Sequence, residues 1–256
     1  MILGPDTIRF ENRLRERVRP AGSPVMYQRW LELLFLHWSV DPFLILPTLP
    51  PGLSVDTFDG RAWIGVVPFQ MTSVRPRLLP AVPGISHFPE LNLRTYVVDE
   101  QGRPGVWFYS LDTPRSLCNW IARTFFYLNY RLARIRVETN GGTIHYCSEL
   151  SQSGRWGDLQ KYSWEREGGA FEAEAGSLEF FLAERYRLFT HDPRRKRILT
   201  GQVHHVPYPL QRVRLGDYST HLFETNKLEA PLGPPHSSLA SAGVDVEIYP
   251  MEPVGA

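Results

Sequence analysis

The sequence predicts an α+β domain, mostly antiparallel strands folded as a barrel or sandwich, and three observations carry that prediction. Polar and apolar residues alternate strictly from Pro89 to Val98, turn sequences recur between runs of strand-forming residues, and one stretch, Arg115 to Leu128, has the apolar spacing of a long helix. A chain of 256 residues with 43% hydrophobic and 12% aromatic content can bury ~75% of its unfolded surface as a single domain. The expected division is an Arg-rich flexible or loosely helical arm over residues 1–24, one domain over 25–250, and a tail over 251–256.

Taken in order, the arm ends at Pro20-Ala21-Gly22-Ser23-Pro24, a run that breaks regular structure. Its arginines are expected to lie in water. Met26 to Val40 is apolar or aromatic at nearly every position, which periodicity alone cannot divide between helix and strand; Trp30, Phe35 and Trp38 favour a pleated surface. Asp41-Pro42 then reads as a helix cap with proline at the first position, opening a short helix over Phe43 to Leu46. Leu53 to Phe58 and Arg61 to Met71 flank Asp59-Gly60, the dipeptide that tolerates the positive φ of a two-residue hairpin turn. A proline-broken loop, Arg75 to Pro83, is long enough to be a flap.

After the alternating strand, Asp99-Glu100-Gln101-Gly102 turns the chain into a partner over Gly105 to Leu111, and Thr113-Pro114 starts the helix of Arg115 to Leu128. Arg131 to Glu138 and Thr143 to Leu150 form a hairpin about Asn140-Gly141-Gly142. Lys161 to Arg166 and Ala170 to Ala175 alternate as strands, Ser177 to Leu182 suits a helical turn, and Glu184 to His191 pairs with Lys196 to His205 around Asp192-Pro193-Arg194. Val213 to Thr225 adds strand. A Pro/Gly/Ser-rich run, Leu232 to Gly243, leads to Val244 to Tyr249 as a closing edge strand.

Composition excludes several classes. With Lys+Arg at 28 and Asp+Glu at 27 the net charge is +1, so no basic footprint for nucleic acid or anionic lipid exists. Arg194-Arg195-Lys196-Arg197 is read as a solvated hairpin tip. No apolar run reaches the ~18 residues that cross a bilayer, and the first residues carry no apolar core of a secretory signal. Cys118 and Cys147 are the only cysteines and lack a C-x-x-C spacing, which points to a reducing cytoplasm and to no disulfide framework or zinc ribbon. Nucleotide loops and nucleophile elbows are absent. A metal site would need His37, His145, Cys147 and Glu90 brought together, so none is expected, and no cofactor is expected either.

The chemistry concentrates in the alternating strand. One face carries Glu90, Asn92, Arg94 and Tyr96, the other Leu91, Leu93, Thr95 and Val97. Facing water, that polar row is ordinary sheet surface; facing inward, it is a small-molecule site in which Arg94 grips a carboxylate while Glu90 orients it or acts as acid or base. His204 and His205 sit beside Pro207-Tyr208-Pro209, where alternation turns one imidazole inward and the other outward. Trp107 is a candidate aromatic wall.

Several blocks resemble a YqjF-like family of bacterial proteins, grouped with the acetoacetate decarboxylase-like superfamily: Trp30 to Trp38, Leu49 to Leu53, Gly60 to Phe69, Phe88 to Tyr96, Gly102 to Phe108 and Val203 to Gln211. The resemblance implies a curved antiparallel barrel or sandwich around a pocket, with one main helix packed against it. The decarboxylases activate a lysine for Schiff-base chemistry, and the segment similar to theirs here, Leu111-Asp112 to Tyr130, contains no lysine; Lys161, Lys196 and Lys227 all lie elsewhere. Their catalytic glutamate is similar in placement to Glu90. The expected function is therefore a cytoplasmic small-molecule-binding protein for an organic acid or polar metabolite, catalytic residue Glu90 if any, ligand contacts Asn92, Arg94, Tyr96, Trp107, His204 and His205. Two alternatives stand beside it, a lysine-independent lyase, isomerase or hydrolase using Glu90, and a ligand-free interaction module. Homo-oligomerisation is left open.

Overall fold

A computed structural model describes residues 5–82, 86–114, 127–152 and 155–255. Among them, helix α1 (Pro5–Glu16) precedes β1 (Met26–Val40), α2 (Pro42–Ile45), β2 (Leu53–Val55), β3 (Ala62–Pro76), β4 (Phe88–Asp99) and β5 (Pro104–Thr113). The chain continues through β6 (Tyr130–Asn140), β7 (Thr143–Gln152), β8 (Arg155–Phe171), α3 (Leu178–Ala183), β9 (Arg187–Asp192), β10 (Arg197–His204), β11 (Leu210–Leu215), α4 (His221–Thr225) and β12 (Ser237–Pro253). The long helix expected over Arg115 to Leu128 falls on residues 115–126, outside the described residues; 127–129 has no regular structure.

All twelve strands join one sheet, in the order β10-β9-β5-β6-β7-β8-β11-β12-β1-β3-β4-β2, and the further pairings β10 with β12 and β5 with β4 return it on itself. Strands β5, β4, β3, β1, β12, β10 and β9 thereby form one closed circuit of pairings, and β6, β7, β8 and β11 bridge β5 to β12 to complete a second. The sheet is not wholly antiparallel as expected, because β5 pairs in parallel with both β6 and β9.

The circuits explain why Met26 to Val40 reads as apolar throughout. From Leu33 to Trp38 strand β1 is buried on both faces: Leu34, Leu36 and Trp38 enter one core with Leu91, Leu93, Tyr146 and Trp164, whereas Leu33 and Phe35 enter another with Val67, Phe69, Val203 and Tyr208. Strand β4 is likewise shared, so its two alternating sets face two interiors rather than core and water.

Local chemistry sets the turns as predicted at several points. Asp41 Oδ1 accepts from the Phe43 amide at 2.9 Å and caps α2. Asp59 and Gly60 both take positive φ, 49° and 72°, as a tight hairpin turn needs. Only the single bridge Phe58 to Arg61 flanks that turn, however, and Leu53–Val55 pairs with β4 instead of β3. Val213 to Thr225 divides into the end of β11 and helix α4. Residues 244–249 are no edge: β12 is 17 residues long and pairs with β1, β10 and β11, absorbing much of the Pro/Gly/Ser-rich run.

The N-terminal segment docks through its charges. Arg13 reaches the fully buried Asp56 at 2.7 Å, Glu16 accepts from Arg187 at 3.0 Å, and Arg19 bonds Glu247. The expectation that the leader arginines lie in water fails at Arg13, whose side chain keeps 10% of its exposure; a buried carboxylate draws it in.

Candidate functional site

Glu90, Asn92, Arg94 and Tyr96 are all buried, at 8% exposure or less. The solvent-facing alternative is thereby excluded. β4 runs in unbroken register against β3, with Glu90 opposite Phe69, Asn92 opposite Val67 and Arg94 opposite Gly65, so the four side chains keep one face. The bulge that would shift them sits in β5 instead, between the partners of Leu93 and Arg94.

Arg94 and Tyr96 meet the end of α3. The Tyr96 hydroxyl donates to the Leu182 carbonyl at 2.8 Å, and Arg94 Nη2 donates to the same carbonyl at 3.1 Å. Leu182 lies in the last turn of a six-residue helix, where carbonyls lack helical partners and attract cations. Arg94 Nη2 also approaches Tyr96 Oη at 3.4 Å, while its Nε is buried without an acceptor. No carboxylate pairs with Arg94 among the described residues. The guanidinium instead lies 5.7 Å from the rings of both Phe35 and Tyr96.

His37 completes this corner. On three adjacent strands His37, Gly65 and Arg94 stand in one register row, and the missing side chain of Gly65 leaves room for the imidazole to lie over it. His37 Nε2 is 2.6 Å from Tyr96 Oη. Since that hydroxyl donates to Leu182, Nε2 carries the imidazole proton and the buried Nδ1 presents an unpartnered lone pair. Burial first, then the Arg94 and Arg185 charges, hold His37 far below the usual histidine range and keep it neutral.

His205 approaches from beyond β10. Its ring stacks on Tyr186 with centroids 4.6 Å apart and tilts against Tyr208 at 4.5 Å, and Tyr208 packs edge-on to Phe35 at 5.3 Å. Nδ1 bonds the Val206 carbonyl at 2.7 Å, leaving Nε2 buried and unpartnered. Burial lowers its pKa to about 4.

Glu90 occupies a separate stretch of the row. It accepts from Tyr130 Oη at 3.0 Å and from Asn92, and makes no ion pair with Arg94. Any orienting effect of Glu90 on Arg94 is therefore not one of direct contact: four residue steps along the strand separate the two by about 13 Å at Cα. Burial pushes the Glu90 carboxyl up to about 8, with the Asp112 charge adding to the push and the Tyr130 and Asn92 hydrogen bonds opposing it. A carboxyl so raised is mostly protonated at neutral pH and able to donate.

That shift has a measurable sign. Between the ordinary 4.5 and about 8 the folded chain keeps a proton that the unfolded chain releases, so stability falls as pH rises through this window. His205 acts oppositely and lower, its contribution being lost as pH falls from 6.5 toward about 4. Thermal midpoints measured above pH 6.5 should therefore decline toward pH 8 in the wild type and stay flatter in Glu90→Gln. Parallel curves would remove Glu90 as the cause.

Two expected contacts are not brought to this site. Trp107 lies opposite Thr95, on the other face of β4, and packs with Leu53, Val97, Phe189 and Ile198. His204 points outward to Glu247, 3.8 Å away, as alternation requires once His205 is buried. Sequence reasoning in turn missed the Leu182 carbonyl and the role of His37 beside Tyr96. One signal was present for His37: a lone glycine, Gly65, inside an apolar strand marks close approach of another group.

Lys161, Lys196 and Lys227 are all exposed. Among the described residues no group of three or more His, Cys, Asp or Glu side chains is placed to hold a metal, and no helix is long and apolar enough to cross a membrane. A surface groove of about 190 Å³ opens along β6, β7 and β8, lined by Arg134, Arg136, His145, Cys147, Glu149 and neighbours. None of the polar row lines it.

Comparison with known proteins places these features in a family. Residues 27–245 match the model of DUF2071, described as an uncharacterized conserved protein. The chain is 41% identical over 192 residues to the uncharacterized protein YqjF of Bacillus subtilis (strain 168), covering 75% of this chain and 77% of that protein. Its fold is that of acetoacetate decarboxylase-like proteins. The enduracididine biosynthesis enzyme MppR complexed with pyruvate superposes with a TM-score of 0.61 at 16% identity, covering 91% of each chain. Acetoacetate decarboxylase from Legionella pneumophila gives 0.62 at 13% identity, covering 92% of this chain and 88% of that one.

Proposed function

This chain belongs to the DUF2071 family, and from that premise we propose that it is a cytoplasmic binding protein for small organic acids, with Arg94 as the carboxylate anchor in a barrel-like wall of strands. One observation carries the reading: Arg94 is a buried cation without a counter-ion among the described residues. The other buried arginines among the described residues have one, Arg185 in Asp56 and Arg187 in Glu16. An unpaired buried charge costs several kcal/mol by the usual order of magnitude, about 3–5, which an anionic ligand offsets by a bidentate bond to the guanidinium edge that Leu182 leaves free. Asn92 stands next along the row and Tyr96 braces the arginine.

The exposed lysines support a site without imine chemistry. A second reading is favoured by Glu90 alone, whose raised pKa suits a general acid for a lysine-independent reaction of such acids. The probes are suggested by the neighbours' names, pyruvate and acetoacetate, joined by their hydroxy-acid counterparts. Calorimetric titration should show at least one binding to wild type and binding to Arg94→Met weakened roughly thirty-fold, equivalent to about 2 kcal/mol for losing one partner of a buried charge pair. Undiminished affinity in Arg94→Met would remove the arginine from the site. Turnover lost in Glu90→Gln with binding kept would select the second reading.

A further inference from the structure

Resting on the carboxylate reading of Arg94, we infer that the ligand is a dicarboxylic acid, with one carboxylate on Arg94 and the second on Arg185.

The two guanidiniums are neighbours on one scaffold. Arg185 Nε donates to the Phe181 carbonyl at 2.7 Å and Arg94 Nη2 to the Leu182 carbonyl at 3.1 Å, so they dock on consecutive carbonyls at the end of α3. Both guanidinium carbons also lie against the Tyr96 ring, 4.7 Å from its centroid for Arg185 and 5.7 Å for Arg94. Both charges act on the same imidazole, that of His37. Their separation cannot exceed those two ring distances laid end to end, a span within reach of malonate, succinate or glutarate gripped at each end by a guanidinium.

Charge decides what such a pair can hold. Asp56 is the acid paired with this corner among the described residues, and it is shared: Oδ1 takes Arg13 and Oδ2 takes Arg185. Arg13, Arg94 and Arg185 therefore stand against a single carboxylate. Arg94 and Arg185 are shut away from the water that would screen them. A monocarboxylate on Arg94 leaves Arg13 and Arg185 still dividing one acid, whereas a dicarboxylate balances the corner. Each of the two buried guanidiniums also keeps an N–H with no acceptor, Nε on Arg94 and Nη2 on Arg185. The unpartnered acceptors on the same wall, His37 Nδ1 and Asn92 Oδ1, are neutral and leave that balance unchanged.

The test titrates the full-length protein at constant ionic strength with matched pairs in which an isosteric amide replaces one carboxylate: malonate against malonamate, succinate against succinamate, glutarate against glutaramate. With a net charge of +1 the chain offers little long-range attraction to a second negative charge, so a preference within a pair reports a local contact. Wild type should bind the diacid of at least one pair about ten-fold tighter or better, as expected when one partner of a buried charge pair is removed. Arg185→Met should bring that diacid down to the affinity of its monoamide, while Arg94→Met weakens both. Equal affinity within every pair, lost in Arg94→Met, would overturn this inference and leave the carboxylate anchor standing; so would binding of pyruvate or lactate without binding of any diacid. A diacid preference that persists in a folded Arg185→Met would also overturn it, since the second contact would lie elsewhere. Should none of these acids bind, the anchor reading itself falls and this inference with it. The wild-type comparison decides even if Arg185→Met fails to fold.

Discussion

Replacing Asp56 with alanine should destabilise the fold by about 3–5 kcal/mol, the usual result of removing one side of a buried ionic network. Asp56 is fully buried, and its two carboxylate oxygens take Arg13 at 2.7 Å and Arg185 at 2.8 Å. Neither cation has another acid to turn to among the described residues: Arg185 otherwise bonds only the Phe181 carbonyl, at 2.7 Å, and keeps 2% of its side-chain exposure. Burial already lowers the Arg185 pKa to about 10 despite the carboxylate beside it, which shows how costly its charge would be alone. The midpoint of thermal unfolding should drop by roughly 10 °C for a chain of this size. Asp56→Asn should recover little, since an amide leaves both charges uncompensated. The control is Asp245, whose pair with Arg29 is largely exposed, at 52% and 72% of the two side chains; Asp245→Ala should stay close to wild type. Equal effects at the two positions would show that the network contributes no more than a surface pair.

The Asp56 network also bears on the proposed carboxylate site. Arg185 lies 4.7 Å over the Tyr96 ring and 4.2 Å over Phe181, so the carboxylate that fixes Arg185 indirectly holds the ring that braces Arg94. Helix α1 supplies the other arm through Arg13, which stands 4.9 Å over Phe181. The N-terminal segment therefore packs, through Arg13, against the residues that surround Tyr96.

None of that was legible in the sequence, and the reason is physical. An ion pair between Arg13 and Asp56, or between Arg185 and Asp56, joins residues far apart in the chain, and periodicity carries no information about such partners. What could be read was local: the alternation of β4, the cap at Asp41, the left-handed pair Asp59-Gly60, and the hairpins about residues 141 and 194. The row from Glu90 to Tyr96 was legible for the same reason, because alternation fixes a face whatever the rest of the fold does. Which faces the fold closes over was not. Trp107 misled because a tryptophan beside the row shares its strand pair but not its face, and β12 misled because Pro, Gly and Ser at 232–243 resemble a linker when their strand partners are unknown.

Gly65 is where local and long-range information meet, and its substitution should rank next to that of Asp56 in the damage it does. A Cβ at this position would lie 2.8 Å from His37 Nε2, 2.9 Å from its Cδ2 and 3.6 Å from Arg94 Cγ. The clash is with a rigid ring that cannot swing aside, since His37 is fully buried and lies parallel to Phe35 with centroids 6.5 Å apart. Gly65→Ala should therefore expel the imidazole from its bond to Tyr96, at a combined cost of about 2–4 kcal/mol from overpacking and the lost hydrogen bond. A double-mutant cycle separates this cause from a general intolerance of strand β3. His37→Ala removes the ring that Cβ meets, so Gly65→Ala should cost much less in the His37→Ala background than alone. Strict additivity of the two changes in denaturant unfolding would mean the imidazole is not the obstacle. The same variant should weaken carboxylate binding, because Arg94 shares the register row with Gly65 and takes its brace from the Tyr96 hydroxyl that His37 bonds. A strand with no side chain at one position thus sets both the packing of the interior and the posture of the buried cation proposed as the carboxylate anchor.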